Sequence, residues 1–177
     1  MRKLIVANLM SLDGVQTDPR SWASAYFDDE AADSSLEQLR AADAMLMGRG
    51  TYEYFAPAWP QATGPYADRV NAIRKYVFSS TLATAGWTNS TIVSGDPVKE
   101  VAELKASGSG DLVIYGYTRL AQTLHEHGLV DVLKISVHPV MLGTGVPLFR
   151  PGPTRELRLT DVERKATGVV TLTYEQR

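Results

Sequence analysis

The sequence contains no cysteine, which excludes disulfides, thiolate nucleophiles and thiolate-bound metal sites. It also lacks an excess of one charge, because 18 Lys and Arg residues stand against 20 Asp and Glu residues, for a formal net charge of −2. Proteins that coat duplex nucleic acid usually carry a basic excess, so we expect no nucleic-acid partner. No apolar run approaches the ~18 residues of a membrane-spanning helix, and we expect no membrane partner. The lack of cysteine fits a reducing compartment, and we expect a cytoplasmic protein.

Several catalytic motifs are missing as well. No Gly-x-Gly-x-x-Gly follows the first apolar segment, and there is no phosphate-binding Walker sequence. Ser109 lacks the glycine two residues earlier that a nucleophile elbow requires. His125 and His127 stand two residues apart on a predicted helix and therefore face different directions, so we expect no metal site. The chemistry that remains available is binding, proton donation by a carboxylate, and the chemistry of a borrowed cofactor.

The sequence is 44% hydrophobic and 21% charged, as is ordinary for a globular protein, and its 177 residues predict one domain over 1–177. Apolar runs predict strands at 4–9, 44–47, 76–78, 91–93, 112–115, 130–137, 157–164 and 169–174. Apolar stripes and helix-start residues predict helices from Asp28 and over 51–55, 66–74, 97–106 and 118–127. A long polar loop is predicted between Ser11 and Asp28.

Strands and helices alternate through the first two thirds of the chain and then give way to two strands. This order predicts an α/β fold with a mostly parallel central sheet, helices on both faces and a C-terminal antiparallel hairpin. In such sheets ligands bind at the carboxyl ends of the strands. Those ends carry Gly48-Arg49, Ser79-Ser80-Thr81, Ser94-Gly95 and Gly116-Tyr117-Thr118-Arg119. Glycines, hydroxyls and arginines next to helix N-termini suit phosphate groups, so together these turns favour a nucleotide.

Three segments resemble a known family. The segment from Gly116 to Leu120, followed by Gly128-Leu129-Val130-Asp131 and by the run from Leu142 to Phe149, is similar to the reductase domain of riboflavin biosynthesis, which has the dihydrofolate reductase fold. Ser11-Leu12-Asp13-Gly14 resembles the opening signature of the same family. The segment from Met47 to Glu53 is similar to the Gly-Arg-x-Thr turn of dihydrofolate reductases.

The resemblance implies a reductase that uses NADPH. By that resemblance, Gly48, Arg49 and Thr51 hold the pyrophosphate, and Ser79, Ser80 and Thr81 hold the adenosine 2′-phosphate. The later glycine turn would contact the cofactor through Gly116, Tyr117, Thr118, Arg119 and Leu120. Ala7 and the loop that contains Gly14 and Val15 would face the nicotinamide. Because dihydrofolate reductases carry a cis Gly-Gly bond at the matching turn, the Gly116–Tyr117 peptide is a candidate cis bond.

The substrate end is less defined by the resemblance. Dihydrofolate reductases carry one acid early in the first long helix, and Asp29, Asp33 and Asp13 are our candidates for a catalytic acid, with Asp28 as the N-cap. Trp22, Phe27, Trp59 and Tyr115 are candidates for the wall of a heterocycle site. The riboflavin reductases have an Asp-Asp-Pro stretch that shapes a phosphoribosyl site, and this chain has 52–57 (Tyr-Glu-Tyr-Phe-Ala-Pro) instead.

The sequence thus predicts a dihydrofolate-reductase-like enzyme that transfers a hydride from NADPH to a pyrimidine, pterin or related heterocycle, with the 5-amino-6-(5-phosphoribosylamino)uracil reductases as the family model. Two alternatives stay open, namely a dihydrofolate reductase proper and a non-catalytic NADP-binding protein on the same fold. The resemblance also suggests a homodimer.

Overall fold

A computed structural model describes residues 2–150 and 152–176, and the remaining positions, Met1, Pro151 and Arg177, lie outside the described residues. The strands are β1 Leu4–Ser11, β2 Ala42–Gly48, β3 Arg74–Phe78, β4 Ser90–Val93, β5 Asp111–Tyr115, β6 Val132–His138, β7 Leu157–Arg164 and β8 Val170–Gln176. The helices are α1 Pro19–Trp22, α2 Asp29–Ala41, α3 Arg49–Phe55, α4 Pro65–Ala72, α5 Pro97–Ala106 and α6 Arg119–Glu126.

The strands form one sheet of order β4-β3-β2-β5-β1-β6-β8-β7. The first six strands in that order run parallel, and β8 and β7 complete the sheet as an antiparallel hairpin. This confirms the predicted α/β class, the mostly parallel sheet and the C-terminal hairpin. Because every parallel strand ends at the same edge, the turns after β1 to β5 meet there.

Two apolar clusters hold helices against opposite faces of the sheet. On one face Val6 and Ile114 pack with Leu120 and Leu124 of α6 and with Val101 of α5. On the other face the core forms from buried side chains of β2, α2, α3 and α4, including Met45, Met47, Leu39, Tyr52 and Val70. The prediction of helices on both faces is therefore confirmed.

Two local predictions differ from the structure. The predicted helix over 66–74 ends at Ala72, because Arg74 pairs with Ala44 and begins β3, so that sheet pairing takes over the last residues. The predicted loop between Ser11 and Asp28 contains the short helix α1 and a 3-10 turn at Ser24–Tyr26. Proline at the first position of α1 supplies the fixed φ of a helix start, a signal that the loop prediction did not use.

Candidate functional site

One long cleft crosses the carboxyl edge of the parallel strands. Its volume is about 1830 Å³, well above the ~300–1,000 Å³ of a site for one drug-sized ligand, so it has room for two ligands side by side. The turns after β2, β3, β4 and β5 line one end, which we call the turn end. Side chains of β1, β6, β8 and β7 on the α2 side of the sheet line the other, which we call the sheet end.

A glycine with positive φ shapes the centre of the turn end. Gly116 has φ +90°, and its N–H donates to the Ala7 carbonyl at 2.9 Å. The N–H of Tyr117 donates to Asn8 Oδ1 at 2.8 Å, and Asn8 is buried. Thr118 is the N-cap of α6 and makes no side-chain capping bond. The turn therefore presents bare backbone, a helix N-terminus and a hydroxyl to the cleft, which are groups that bind phosphate well.

The Gly116–Tyr117 peptide is trans, which corrects the cis candidate from the sequence. Tyr117 is buried, and its hydroxyl lies 2.5 Å from His125 Nδ1, while its ring packs edge-on against Phe149 at 5.5 Å between centroids. The side chain that replaces the family's second glycine is therefore accommodated in the α6 side of the core. Tyr117 also lines the cleft.

Arg49 joins two of the predicted phosphate turns. Its Nε donates to Glu53 at 2.7 Å, and its NH1 donates to Thr81 Oγ1 at 2.9 Å. Ser79 Oγ accepts from the backbone N–H of Thr81 at 3.2 Å and so stabilises the turn after β3. Arg119 is exposed, and its side chain forms no hydrogen bond or ion pair within 2–150 and 152–176. An arginine at the cleft without an internal partner is well suited to an anionic ligand.

The cleft collects most of the positions predicted for a cofactor: Ala7, Gly48, Arg49, Thr51, Ser79, Ser80, Thr81, Gly116, Tyr117, Thr118, Arg119 and Leu120. Gly14 and Val15 are not among its lining residues. Their loop packs against the loop over 139–150, which we call the 140s loop. The N–H of Leu148 donates to the Gly14 carbonyl at 2.7 Å, and Val15 forms a β-bridge with Pro147. Gly14 and Val15 therefore lie outside the cleft, next to the 140s loop.

None of the three candidate acids lines the cleft. Asp13 accepts from Ser11 Oγ at 2.6 Å and from the backbone N–H of Gly143 at 2.7 Å, and the hydrogen bond from Ser11 is the largest cause of a pKa lowered to about 2. Asp29 and Asp33 are exposed on α2, while Asp28 Oδ1 accepts from Ala31 N as the predicted N-cap. The cleft side of α2 carries uncharged residues instead: Ala31, Ser34, Ser35 and Gln38.

Aromatic rings wall the cleft between its two ends. Tyr66 lies 5.8 Å from Phe27 and 5.3 Å from Trp59 between ring centroids. Phe27, Trp59 and Tyr115, three of the four predicted wall residues, line the cleft. Trp22 does not; it is buried, and it packs edge-on against His138 at 5.2 Å. The wall as a whole suits a flat ring.

The sheet end is polar, and the sequence did not predict it. Ser136 Oγ and Thr171 Oγ1 lie 2.9 Å apart across the β6–β8 pair. Lys165 is buried; its Nζ forms an ion pair with Glu163 and donates to Ser34 Oγ of α2 at 2.5 Å. Burial lowers the pKa of His138 on β6, which keeps this imidazole neutral near pH 7. The available signal was the alternation of Lys134, Ser136 and His138, which places all three on one face of a strand.

Within 2–150 and 152–176, no group of three or more His, Asp or Glu side chains is placed to hold a metal ion. No helix in the same part of the chain is long and apolar enough to cross a membrane.

Comparison with known proteins places this architecture in a family. Residues 2–172 match the family model described as the RibD C-terminal domain. Two proteins of Bacillus subtilis strain 168 are similar, the uncharacterized YyaP at 30% identity over 77% of this chain and 75% of its own, and the uncharacterized YwjB at 26% over 84% and 83%.

Solved structures share the fold. A provisionally assigned riboflavin biosynthesis protein of Shewanella sp. PV-4 superposes with a TM-score of 0.81 at 24% identity, over 99% of both chains. A pyrimidine reductase-like protein of Corynebacterium diphtheriae superposes with a TM-score of 0.71 at 16% identity, over 99% of this chain and 92% of that one. A diaminohydroxyphosphoribosylaminopyrimidine deaminase/5-amino-6-(5-phosphoribosylamino)uracil reductase of Thermotoga maritima gives 0.70 at 14%, over 99% of this chain and 57% of that one. With its dihydrofolate-reductase-like fold and a match over nearly its whole length, this chain belongs to the RibD C-terminal domain family.

Proposed function

We propose that the protein is an NADPH-dependent reductase that transfers a hydride to a pyrimidine, pterin or related heterocycle. One observation carries the proposal: a single cleft joins a turn end suited to phosphates with an aromatic wall suited to a flat ring. The turn end and the aromatic wall meet at Ala7. Its carbonyl accepts the hydrogen bond from Gly116, and its small side chain leaves space above this part of the sheet. The names of the Corynebacterium and Thermotoga proteins support the pyrimidine class.

The turn end has the groups that a dinucleotide phosphate requires. Arg49, Arg119 and the hydroxyl of Thr118 supply charge and donors, and the hydroxyls of Ser80 and Thr81 are the candidate site of a 2′-phosphate. When bound, the cofactor would supply the hydride. The chain itself would hold the two ligands in contact and exclude water between Ala7 and the aromatic wall, which is the usual contribution of a protein to cofactor chemistry.

The residues at the candidate substrate site favour a heterocycle other than the phosphoribosyl substrate of the riboflavin reductases. Where that site would be shaped, Tyr54 lines the cleft, its hydroxyl donates to Asp18 at 3.2 Å, and Arg20 lies 4.0 Å above its ring. The lack of an acid on the cleft side of α2 also disfavours a dihydrofolate reductase proper, which needs one there. The same feature favours the second candidate, a protein that binds NADP without catalysis.

Incubation of the full chain with NADPH and a panel of pterins and ribosylaminopyrimidines separates the two candidates. Loss of NADPH absorbance with one compound supports the reductase, whereas tight NADPH binding without turnover across the panel supports the non-catalytic protein. Fluorescence titration is expected to show NADPH binding about tenfold tighter than NADH, equivalent to ~1.4 kcal/mol. Equal dissociation constants would remove the assignment of Ser80 and Thr81 to a 2′-phosphate. The homodimer and the cytoplasmic location stay predictions, which sedimentation and cell fractionation test.

A further inference from the structure

One row of the sheet, on the face that lines the cleft, carries the polar side chains of Tyr115, Lys134 and Thr173. The strand pairings align Tyr115 of β5 with Ala7 of β1, Ala7 with Lys134 of β6, and Lys134 with Thr173 of β8. Directly paired residues point to the same face, and neighbouring strands lie about 4.8 Å apart. Lys134 and Tyr115 therefore stand about 10 Å apart on either side of Ala7, and both line the cleft.

Two of these groups are buried hydroxyls. Thr173 Oγ1 is inaccessible to solvent and has no hydrogen-bond partner among the described residues. Tyr115 Oη is also inaccessible to solvent; burial raises its pKa well above the ordinary value, and hydrogen bonds with Tyr66 and Gln38 act on it as well. Both hydroxyls are therefore neutral, and neither is an anion that pairs with Lys134.

Lys134 is the third group. Its side chain is half-buried and forms no ion pair or hydrogen bond within the part of the chain that the structure describes. The carboxylate in the next row, Glu163, is already paired with Lys165. Asp161 lies on the far side of Thr173 in the same row, two strands away, and is exposed. A half-buried lysine at a cleft, without an acid to pair with it, attracts an anionic ligand.

We propose that Lys134, flanked by Tyr115 and Thr173, binds an anionic oxygen on the flat heterocycle that lies over Ala7, and so selects substrates that carry a negative charge on the ring. This inference rests on the proposed function, because it names the substrate class of the same cleft. It assigns to β6 a specificity-determining residue. Arg49 and Arg119 belong to the turn end and leave this second cationic position for the other ligand.

The experiment uses a matched pair of probes, orotate and uracil, which share a pyrimidine ring and differ in one carboxylate. Calorimetric titration of the full chain, with and without saturating NADP⁺, measures both affinities in the wild type, in Lys134→Met and in Lys134→Arg. Lys99→Met is the control, because Lys99 is exposed on α5 and is not among the cleft-lining residues, so the variant loses the same charge without removing a cleft side chain. Thermal unfolding of each variant verifies that it is folded.

We expect the wild type to bind orotate at least about tenfold more tightly than uracil, as a charge-assisted bond would give. Lys134→Met should remove this difference, whereas Lys134→Arg and Lys99→Met should keep it. Equal orotate affinity in the wild type and Lys134→Met would overturn the inference. Inorganic phosphate that displaces orotate from the wild type would also overturn it, by assigning the position to a free phosphate. Failure of NADPH to bind, with Lys134-dependent orotate binding intact, would instead contradict the proposed function alone.

Discussion

The two ends of the cleft consist of different kinds of groups. The turn end uses backbone groups and exposed side chains, each contributed by a short contiguous segment such as 79–81 or 116–119. The sheet end uses buried polar side chains that come from distant segments, as in the bond between Ser34 of α2 and Lys165 beyond β7, which are 131 residues apart. The exposed side chains of the turn end can therefore be altered with little effect on folding, whereas changes at the sheet end also disturb the core.

This difference implies a division: substitutions at the turn end should change ligand affinity, whereas substitutions at the sheet end should change the stability of the fold. Arg119 at the turn end has no internal side-chain partner to lose, so its removal should weaken ligand binding alone. Side chains at the sheet end, such as Lys165, are part of hydrogen-bonded groups that the fold itself needs. Four substitutions test the division, beginning with the one for which we expect the largest effect.

Glu163→Ala should have the largest effect on stability. It leaves the buried ammonium of Lys165 with Ser34 and with the more distant carboxylate of Glu30 at 3.7 Å. An unpaired buried charge is costly, and because Glu30 remains we expect a loss of about 2–3 kcal/mol in the free energy of unfolding, measured by urea denaturation. NADPH affinity should stay within a factor of about two to three of the wild type, because Glu163 lies at the sheet end and not among the turns proposed to hold the cofactor.

The control for this prediction is Glu103→Ala, which removes an exposed carboxylate from α5 and should change stability by at most about 0.5 kcal/mol. The double variant Glu163→Gln with Lys165→Met replaces both charges at once. It should recover most of the lost stability, because no buried charge is left unpaired. Equal destabilisation by Glu163→Ala and Glu103→Ala would show that the sheet end does not depend on this ion pair.

The same difference explains what the sequence could predict. The turn end was predictable because glycines, hydroxyls and arginines stand at strand ends within a few residues of one another. The sheet end was not, because the pairing register of β7 and β8 decides which side chains face the cleft, and a slip of one residue would turn each to the other face. The buried stripe of α2 was predictable, because the spacing of Leu36 and Leu39 indicates it and leaves Asp33 on the polar face. That Ser34 and Gln38 face the cleft was not, because this depends on how the helix docks against the sheet.

Gly116→Ala tests the backbone that joins the two ends. At φ +90° an alanine is strained, although its Cβ would lie no closer than 3.5 Å to Thr118 and 3.8 Å to Asn8. We expect a loss of about 2 kcal/mol in stability together with weaker NADPH binding. Gly86→Ala is the matched control, because Gly86 has ordinary φ and open space around its Cβ position. If the two alanine variants unfold at the same urea concentration, the strain at Gly116 is not real.

Arg119→Ala is expected to lower NADPH affinity without changing the stability of the fold, the opposite of what we expect for Glu163→Ala. The loss of one charge-assisted contact should raise the NADPH dissociation constant about tenfold, or ~1.4 kcal/mol, with no change in the urea midpoint. Arg49→Ala should weaken NADPH similarly, and it also releases Thr81 and Glu53. The control is Arg158→Ala, which removes an exposed ion pair with Glu175 at the far edge of the sheet. Unchanged NADPH affinity in both cleft variants would refute a role for these arginines at the turn end.

Asp13→Asn should have the smallest effect and the clearest pH dependence. The folded-state pKa of Asp13 is lowered to about 2 from an ordinary 3.8, chiefly by the hydrogen bond from Ser11 and then by backbone N–H groups of the 140s loop. A lowered pKa means that the carboxylate stabilises the fold above pH 3.8, and that this contribution disappears as the pH falls through about 2. The stability difference between wild type and Asp13→Asn should therefore be constant near neutral pH and shrink in acid. A turnover rate at neutral pH that collapses in Asp13→Asn, with the loop and the stability intact, would instead restore Asp13 as the catalytic acid.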